Sequence, residues 1–326
     1  MIDYSWNSTE HCPPCFYGSI CQLTTFYYSI SLESFLYTSF STVGVLIVLI
    51  FVFALGTVCN FLSIMTFAQA TARETGSGIY RLWISIIGQV TLVIITIRLL
   101  MIIRKKASRW IDCFVVDYSI SALVPLFYSL TVCLAIERIV VAYKHLLFDK
   151  QQSRRAAKKL ISILMIYHFG LALYKPIHRQ LRVESNRIEC SYYFQTQSQI
   201  NFERLINILH LILPILVNFF APLILIVILI EHKRSLKPTT TFLSRFVDVI
   251  RTYKHNLISP LLLVTLTLPH LLITLHFHCI SQSKQIIIYL FTYILSLIPF
   301  VSTLFIFVFL SPKYREEFSK LYQRRY

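Results

Sequence analysis

The sequence is poor in charged residues and in glycine, and each shortage excludes something. Charged side chains make up 14% of the 326 residues, whereas a soluble globular protein carries about 25%. This is too little charge to give a chain of this length a polar, water-exposed surface, so an arrangement of two soluble domains is excluded. Only seven glycines are present, and long helices therefore meet few residues that break them.

Basic residues are absent from the beginning of the chain, where no lysine or arginine precedes Arg73. A cleavable signal peptide begins with a positively charged segment. The sequence therefore predicts that the first apolar segment remains in the protein as an uncleaved signal anchor.

Apolar residues make up 56% of the chain and fall into long blocks. A helix needs about 20 predominantly apolar residues to cross a bilayer. The blocks occupy residues 44–67, 78–103, 113–143, 159–177, 205–230, 256–278 and 286–310. We therefore predict an all-α membrane protein that folds as a seven-transmembrane helix bundle.

The apolar blocks divide the chain into three regions. Residues 1–43 are predicted to form an N-terminal tail, residues 44–310 the bundle, and residues 311–326 a short amphipathic eighth helix with its tail. In the last region, Phe318 and Leu321 fall on one helical face. An amphipathic helix of this kind lies on the membrane surface.

The formal net charge of +16 is concentrated between the apolar blocks. Basic loops face the cytoplasm and its anionic lipid, so membrane lipid is an expected partner and nucleic acid is not. The balance of bases predicts a multi-pass protein with its N-terminus outside. Two groups of bases on the supposed outer side oppose this orientation: Arg104, Lys105, Lys106 and Arg109, and also Arg179, Arg182 and Arg187, which Glu184 and Glu189 partly offset. The sequon that begins at Asn7 is a glycosylation candidate on the same side.

The third apolar block carries the most informative residues. It begins at Cys113 and holds Glu137-Arg138-Ile139 near its other end, and Cys190 lies in the loop after the fourth block. An arginine at the end of an apolar helix is costly without a partner, and the adjacent Glu137 can neutralise it. Arg138 alone is also compatible with an arginine that simply extends toward the membrane surface.

In these residues the chain resembles the rhodopsin-like family of G-protein-coupled receptors. The resemblance implies a disulfide between Cys113 and Cys190. It also gives Glu137, Arg138 and Ile139 the place of the family's Asp/Glu-Arg-Tyr triplet, with Ile139 replacing the tyrosine. The resemblance further implies a location in the plasma membrane, with an extracellular ligand of unknown identity and a heterotrimeric G protein as the expected partners. No cofactor and no enzymatic activity are expected.

The resemblance extends more thinly to the other blocks. Asn60 stands where the family has an asparagine, Gln89 replaces its sodium-binding aspartate, and Thr303 falls within its Asn-Pro-x-x-Tyr motif. These three are expected to be polar residues of the bundle core. Pro269 and Pro299 are expected helix pivots, because proline removes a backbone hydrogen bond. The departures from the family pattern imply a divergent orphan subfamily.

The resemblance also implies a mechanism. A ligand that binds one state better shifts the population toward that state. Outward movement of the sixth helix would then free Arg138 and open a groove for the G protein. In the family, an acid at the base of the sixth helix often holds the arginine, and the corresponding residues 245–254 offer only Asp248.

The ligand site is not defined by the sequence. Asp117, near the outer end of the third block, is either a solvated acid or an amine-binding group. Four histidines either line a cavity or lie at helix interfaces: His210, His270, His276 and His278. Four bases either attract an anionic ligand or face lipid headgroups: Arg98, Arg104, Lys105 and Lys106. The sequence does not give the pairing of four further cysteines: Cys12, Cys15, Cys21 and Cys279.

The alternative function is that of a polytopic transporter or channel. Transporters commonly contain repeated halves and helices that are broken by glycine. The sequence shows neither a clear internal repeat nor many glycines. A membrane enzyme would need histidine and acidic residues clustered within the blocks, where the acids are few and far apart.

Overall fold

The computed structural model describes most of the chain as long helices. The described residues are 16–17, 23–24, 42–104, 110–144, 147–184, 187–192, 196–236, 241–276 and 283–323. In chain order the helices are α1 (Thr42–Phe67), α2 (Gly76–Arg104), α3 (Asp117–Lys144), α4 (Lys150–Ala172), α5 (Gln197–Leu236), α6 (Phe242–His276), α7 (Ser283–Val301) and α8 (Pro312–Gln323). A π-helical segment, Ile111–Val116, precedes α3, a single helical turn, Tyr174–Ile177, follows α4, and a second π-helical segment, Leu304–Phe309, follows α7.

Six of the described helices are long and apolar enough to cross a membrane. Their spanning segments are Ile50–Phe67, Gly76–Met101, Phe114–Lys144, Lys150–Ile177, Asn201–Ser235 and Asn256–Ile273. The seventh apolar stretch, Ile288–Val301, is shorter. By length and composition, the chain is therefore an all-α protein with the helices of a multi-pass membrane protein.

The first two blocks match their helices closely, whereas α4, α5 and α6 begin well before the predicted blocks, and the fourth block continues past α4 into the turn Tyr174–Ile177. One of these is α4, which was expected to begin at residue 159 and begins at Lys150. The Asp149 side chain caps this helix by accepting hydrogen bonds from the backbone N–H groups of Gln151 and Gln152, at 2.8 and 3.3 Å. A capping side chain satisfies free backbone N–H groups of the first helical turn. The helix can therefore begin within a polar segment, which hydropathy does not detect.

Two short antiparallel hairpins were not predicted. Strands β1 (Phe16–Tyr17) and β2 (Leu23–Thr24) pair near the beginning of the chain. Strands β3 (Arg179–Glu184) and β4 (Arg187–Tyr192) pair between α4 and α5. The second pair of strands is rich in charged residues, so it carries no apolar run that would have indicated a strand.

Helix α3 lies at the centre of the bundle, packed against α2, α4 and α5. Its side chains Leu126, Phe127 and Leu130 have no exposed surface. The ring of Phe127 also contacts that of Phe300 near the end of α7, with 4.3 Å between the ring centroids. Because a helix rises about 1.5 Å per residue, α3 carries its first turn and its last turns to opposite ends of the bundle, roughly 30 Å apart.

Two interruptions occur in the helices that follow. In α6 the residue with non-helical torsion angles is Tyr253, whereas the helix continues through Pro260 and Pro269. Helix α7 ends at Val301, shortly after Pro299, and the chain resumes as the π-helical segment. The pivot roles expected of Pro269 and Pro299 concern a movement, and they stay predictions.

Candidate functional site at the Arg138 end of the bundle

Arg138 is tied to the sixth helix through a backbone carbonyl. Its Nη1 donates a hydrogen bond to the carbonyl oxygen of Asn256 on α6, at 2.8 Å. In an uninterrupted helix this oxygen would accept from the backbone N–H four residues later. That residue is Pro260, which has no N–H to donate. The proline therefore leaves the Asn256 carbonyl without its helical donor and available to Arg138.

Glu137 has different partners from the one the sequence suggested. Its Oε1 accepts a hydrogen bond from the Ser153 hydroxyl at 2.5 Å, and the same Ser153 oxygen accepts one from the backbone N–H of Gly76 at 3.0 Å. No hydrogen bond or ion pair joins Glu137 to Arg138 among the described contacts. The carboxylate instead lies beside the amino end of α2, where the helix dipole favours negative charge.

Gly76 is required by the closeness of this contact. A Cβ atom at residue 76 would lie 2.7 Å from the Ser153 hydroxyl oxygen and 2.8 Å from Oε1 of Glu137. Neither Gly76 nor Ser153 was expected from the sequence. The scarcity of glycine was the available signal, because a glycine that is retained in such a chain often marks a close approach of backbone and side chain.

Arg81 of α2 joins the same end of the bundle to α8. Its residue is only 5% exposed, and its guanidinium lies 4.4 Å from the ring centroid of Tyr314, a cation–π contact. Tyr314 also packs edge-on against Phe67 at the end of α1, with 5.1 Å between ring centroids. The predicted eighth helix is therefore present as α8, and its first turns are held by α1 and α2.

A loop between α1 and α2 also holds α8. Thr71 Oγ1 donates a hydrogen bond to Glu317 Oε2 at 2.6 Å, and Gln69 Nε2 donates to the Glu317 carbonyl oxygen at 3.1 Å. The hydrogen bond from Thr71, assisted by the nearby Lys320, lowers the pKa of the Glu317 carboxyl below its ordinary value. The carboxylate form of Glu317 is thus the form that fixes α8.

Asp248 does not hold Arg138 in this structure. The Asp248 carboxylate accepts a hydrogen bond from Lys233 Nζ of α5, at 2.5 Å. This contact joins α5 to α6 at the Arg138 end of the bundle. Ile139, next in the triplet, packs against a buried apolar cluster formed by α5 and α6 that includes Leu225 and Val249.

The three polar residues expected in the bundle core lie together. Asn60 Nδ2 donates to Gln89 Oε1 at 3.1 Å, and Thr303 Oγ1 donates to Asn60 Oδ1 at 2.6 Å. Asn60 Nδ2 also donates to the Phe300 carbonyl oxygen at 3.0 Å. Asn60 and Thr303 are fully buried. A network of neutral groups, in which donors and acceptors match, therefore connects α1, α2 and the end of α7.

At the opposite end of α3, Asp117 is buried and paired. It is 8% exposed, and its Oδ1 lies 3.2 Å from Arg98 Nη1 of α2. The interpretation of Asp117 as a solvated acid is therefore wrong. A carboxylate already neutralised by an arginine is also a weaker partner for an amine ligand. Arg98 itself is engaged in this contact and does not simply face lipid headgroups.

Three of the histidines whose side chains are described lie at helix interfaces: His168, His210 and His270. His168 Nε2 and the Ser129 hydroxyl are 2.9 Å apart, and the rings of His168 and His210 are 5.0 Å apart. His270 of α6 contacts the rings of Tyr289 and Tyr293 of α7, at 5.4 and 5.7 Å. Within the part of the chain that the structure describes, no three histidine, cysteine or acidic residues are grouped as a metal site.

For the predicted disulfide, the structure describes only the backbone around the two cysteines. Strand β3 packs against the π-helical segment that contains Cys113, and Cys190 in β4 pairs with Leu181 of β3. The side chains of Cys113 and Cys190 lie outside the described ones. So do these side chains: Asn7, Cys12, Cys15, Cys21, Cys279, Arg104, Lys105, Lys106, His276 and His278.

Comparison with known proteins assigns no family. No family model matches the chain, and no curated protein matches it either. The functional argument therefore depends on the geometry of the chain's own residues.

Proposed function

We propose that this chain is a seven-transmembrane G-protein-coupled receptor of the plasma membrane with an extracellular N-terminus. The observation that carries the proposal is the hydrogen bond from Arg138 to the Asn256 carbonyl. It joins the central helix α3 to α6 by a hydrogen bond at the Arg138 end, which we place on the cytoplasmic side. For the seventh crossing we propose α7 together with the π-helical segment Leu304–Phe309, since about 20 residues are needed.

The contact suits a latch that opens when α6 moves. A hydrogen bond from a charged donor contributes roughly 1.5–3 kcal/mol, an amount that a ligand with moderate preference for one state can overcome. After α6 moves away, Arg138 is left with its charge and no carbonyl partner. A heterotrimeric G protein that offers new acceptors would then stabilise the open state.

The central position of α3 supports communication between the two ends. Asp117, in the first turn of α3, contacts Arg98 of α2, and Arg138 near its other end contacts α6. A ligand that disturbs the Asp117 end would act on the same helix that holds the latch. Coupling of this kind requires two states that ligand and G protein each bind differently.

Pro260 provides a direct test of the latch. Replacing Pro260 with alanine restores an N–H that competes with Arg138 for the Asn256 carbonyl, so we expect ligand-independent nucleotide exchange to rise several-fold. The exchange is measured on a promiscuous G protein in membranes with matched receptor levels. Replacing Arg138 with alanine should abolish the exchange and leave the surface level of the receptor largely intact.

The matched control is Asn256→Ala. This change removes a side chain but keeps the backbone carbonyl that accepts the hydrogen bond, so basal exchange should stay at the wild-type level. If Pro260→Ala and Asn256→Ala gave the same basal exchange, the carbonyl latch would be wrong. If no G protein responded to any variant, including wild type, the receptor function itself would be contradicted.

A further inference from the structure

The first turns of α4 carry a dense group of basic side chains. We call the following four residues the α4 basic patch: Arg154, Arg155, Lys158 and Lys159. All four are exposed, and α4 contains no acidic residue. Successive residues of a helix turn by about 100°, so the four side chains fall within an arc of about 140°.

The patch has no counter-charge among the described residues. None of its four side chains forms an ion pair there, whereas the neighbouring Lys150 lies 3.6 Å from Glu74. Arg154 and Lys158 are four residues apart, as are Arg155 and Lys159, and like charges at this spacing destabilise a helix. A bound anion would offset this repulsion.

The same face of α4 continues as an apolar surface. Ile163 follows Lys159 by one turn and is 60% exposed, and Ile166 is 76% exposed. In a membrane these two side chains face hydrocarbon, and the change from base to isoleucine marks the level of the lipid headgroups. Charge and apolar surface are therefore stacked in the order in which a phospholipid presents its headgroup and acyl chains.

We propose that the α4 basic patch binds the headgroup of a polyanionic phospholipid, with its acyl chains against Ile163 and Ile166. Four adjacent positive charges exceed what a headgroup with a single negative charge neutralises, which favours a lipid with several phosphates. Basic residues near an anionic leaflet each strengthen such binding. This lipid site stands independently of any signalling by the protein.

The test uses the full-length protein in nanodiscs of phosphatidylcholine with a small fraction of fluorescent phosphatidylinositol bisphosphate. Energy transfer from a label on the protein reports binding of the lipid. The variant replaces all four patch residues with glutamine, and we expect its apparent affinity to fall at least tenfold. Its melting temperature should equal or slightly exceed that of the wild type, because the changed side chains are exposed and the like-charge repulsion between them is removed.

The control removes the same charge elsewhere. It replaces with glutamine four exposed bases on other elements, and we expect less than a twofold change: Arg234, Arg251, Lys254 and Arg315. Equal losses in both variants, or no loss in the patch variant, would overturn the proposal. Soluble inositol trisphosphate should compete only weakly, and competition as strong as that of the intact lipid would overturn the acyl-chain contact at Ile163 and Ile166.

Discussion

The two ends of the bundle handle charge in different ways, although one helix reaches both. At the Asp117 end, the acid is bonded to an opposite charge, Arg98, and both are partly or fully buried. At the Arg138 end, Arg138 is bonded to a backbone carbonyl and Glu137 to a serine hydroxyl. The first arrangement pairs opposite charges directly, whereas in the second the adjacent charges of Glu137 and Arg138 interact without a hydrogen bond between them.

This difference indicates which end can exchange partners. Separating a buried ion pair leaves two uncompensated charges, which is strongly unfavourable. Moving Arg138 away from the Asn256 carbonyl breaks one hydrogen bond to a neutral group, and no direct ion pair has to be separated. The Arg138 end is therefore suited to a change of partner, and the Asp117 end is suited to holding α2 and α3 together.

The largest expected effect concerns the contact at Gly76. In Gly76→Ala the added Cβ would lie under 3 Å from Ser153 and from Glu137, so α2, α3 and α4 must shift. Overpacking of this kind costs roughly 1–3 kcal/mol, and we expect a clearly lower melting temperature in detergent. Because the Glu137 contact is disturbed as well, basal nucleotide exchange should also change.

The matched control for this change is Gly170→Ala in α4. A Cβ at residue 170 meets nothing within 4 Å, and alanine is favoured over glycine within a helix by roughly 0.5–1 kcal/mol. The melting temperature should therefore stay constant or rise. A Gly76→Ala protein as stable as the Gly170→Ala protein would show that the Arg138 end tolerates repacking.

The sequence predicted the elements of the fold better than the partners within it. The apolar blocks located α1 to α7. The resemblance to a known family predicted Asn60, Gln89 and Thr303 as polar residues of the core, and the structure shows them in one hydrogen-bonded network. Adjacency in sequence suggested that Glu137 neutralises Arg138; the two charges do interact, but the direct hydrogen-bond partners of both lie on other helices. Residues next to each other on a helix point about 100° apart, so neighbours along the chain seldom bond to each other.

The partners that were missed come from distant parts of the chain. Ser153 reaches Glu137 from α4, and the Asn256 carbonyl becomes available only because Pro260 follows it on α6. The proline is visible in the sequence, and so is the carbonyl that it leaves without a donor. Which donor reaches that carbonyl depends on how α3 packs against α6, and this is a tertiary property.

A smaller effect is expected from the ion pair at the Asp117 end. Asp117→Asn removes the charge that compensates Arg98, and we expect a loss of roughly 1–2 kcal/mol in the free energy of unfolding, because the Arg98 side chain is partly exposed to solvent. The double variant Arg98→Gln with Asp117→Asn should recover part of this loss, because no unpaired charge remains. Thermal unfolding of the two single variants and the double variant gives the coupling energy. Additive effects would mean that the two side chains do not stabilise each other.

The smallest effect concerns the attachment of α8 at the Arg138 end. Thr71→Val removes the hydrogen bond that lowers the pKa of the Glu317 carboxyl. A lowered folded-state pKa stabilises the fold above the unfolded pKa of about 4.3, and this contribution disappears as the pH falls through the folded pKa. The free energy of unfolding of the wild type should therefore exceed that of Thr71→Val by about 0.5–1.5 kcal/mol near neutral pH. The gap should close in acid.

The control for this prediction is Glu316→Gln, which changes an exposed neighbour that contacts Lys320. An exposed ion pair contributes little, so this variant should lie close to wild type at every pH. Melting temperatures of all three proteins, measured across the acid range, separate the two carboxylates. If the gap between wild type and Thr71→Val stayed constant with pH, Glu317 would not be the group that holds α8. The attachment would then depend on the apolar contacts of Tyr314 and Phe318.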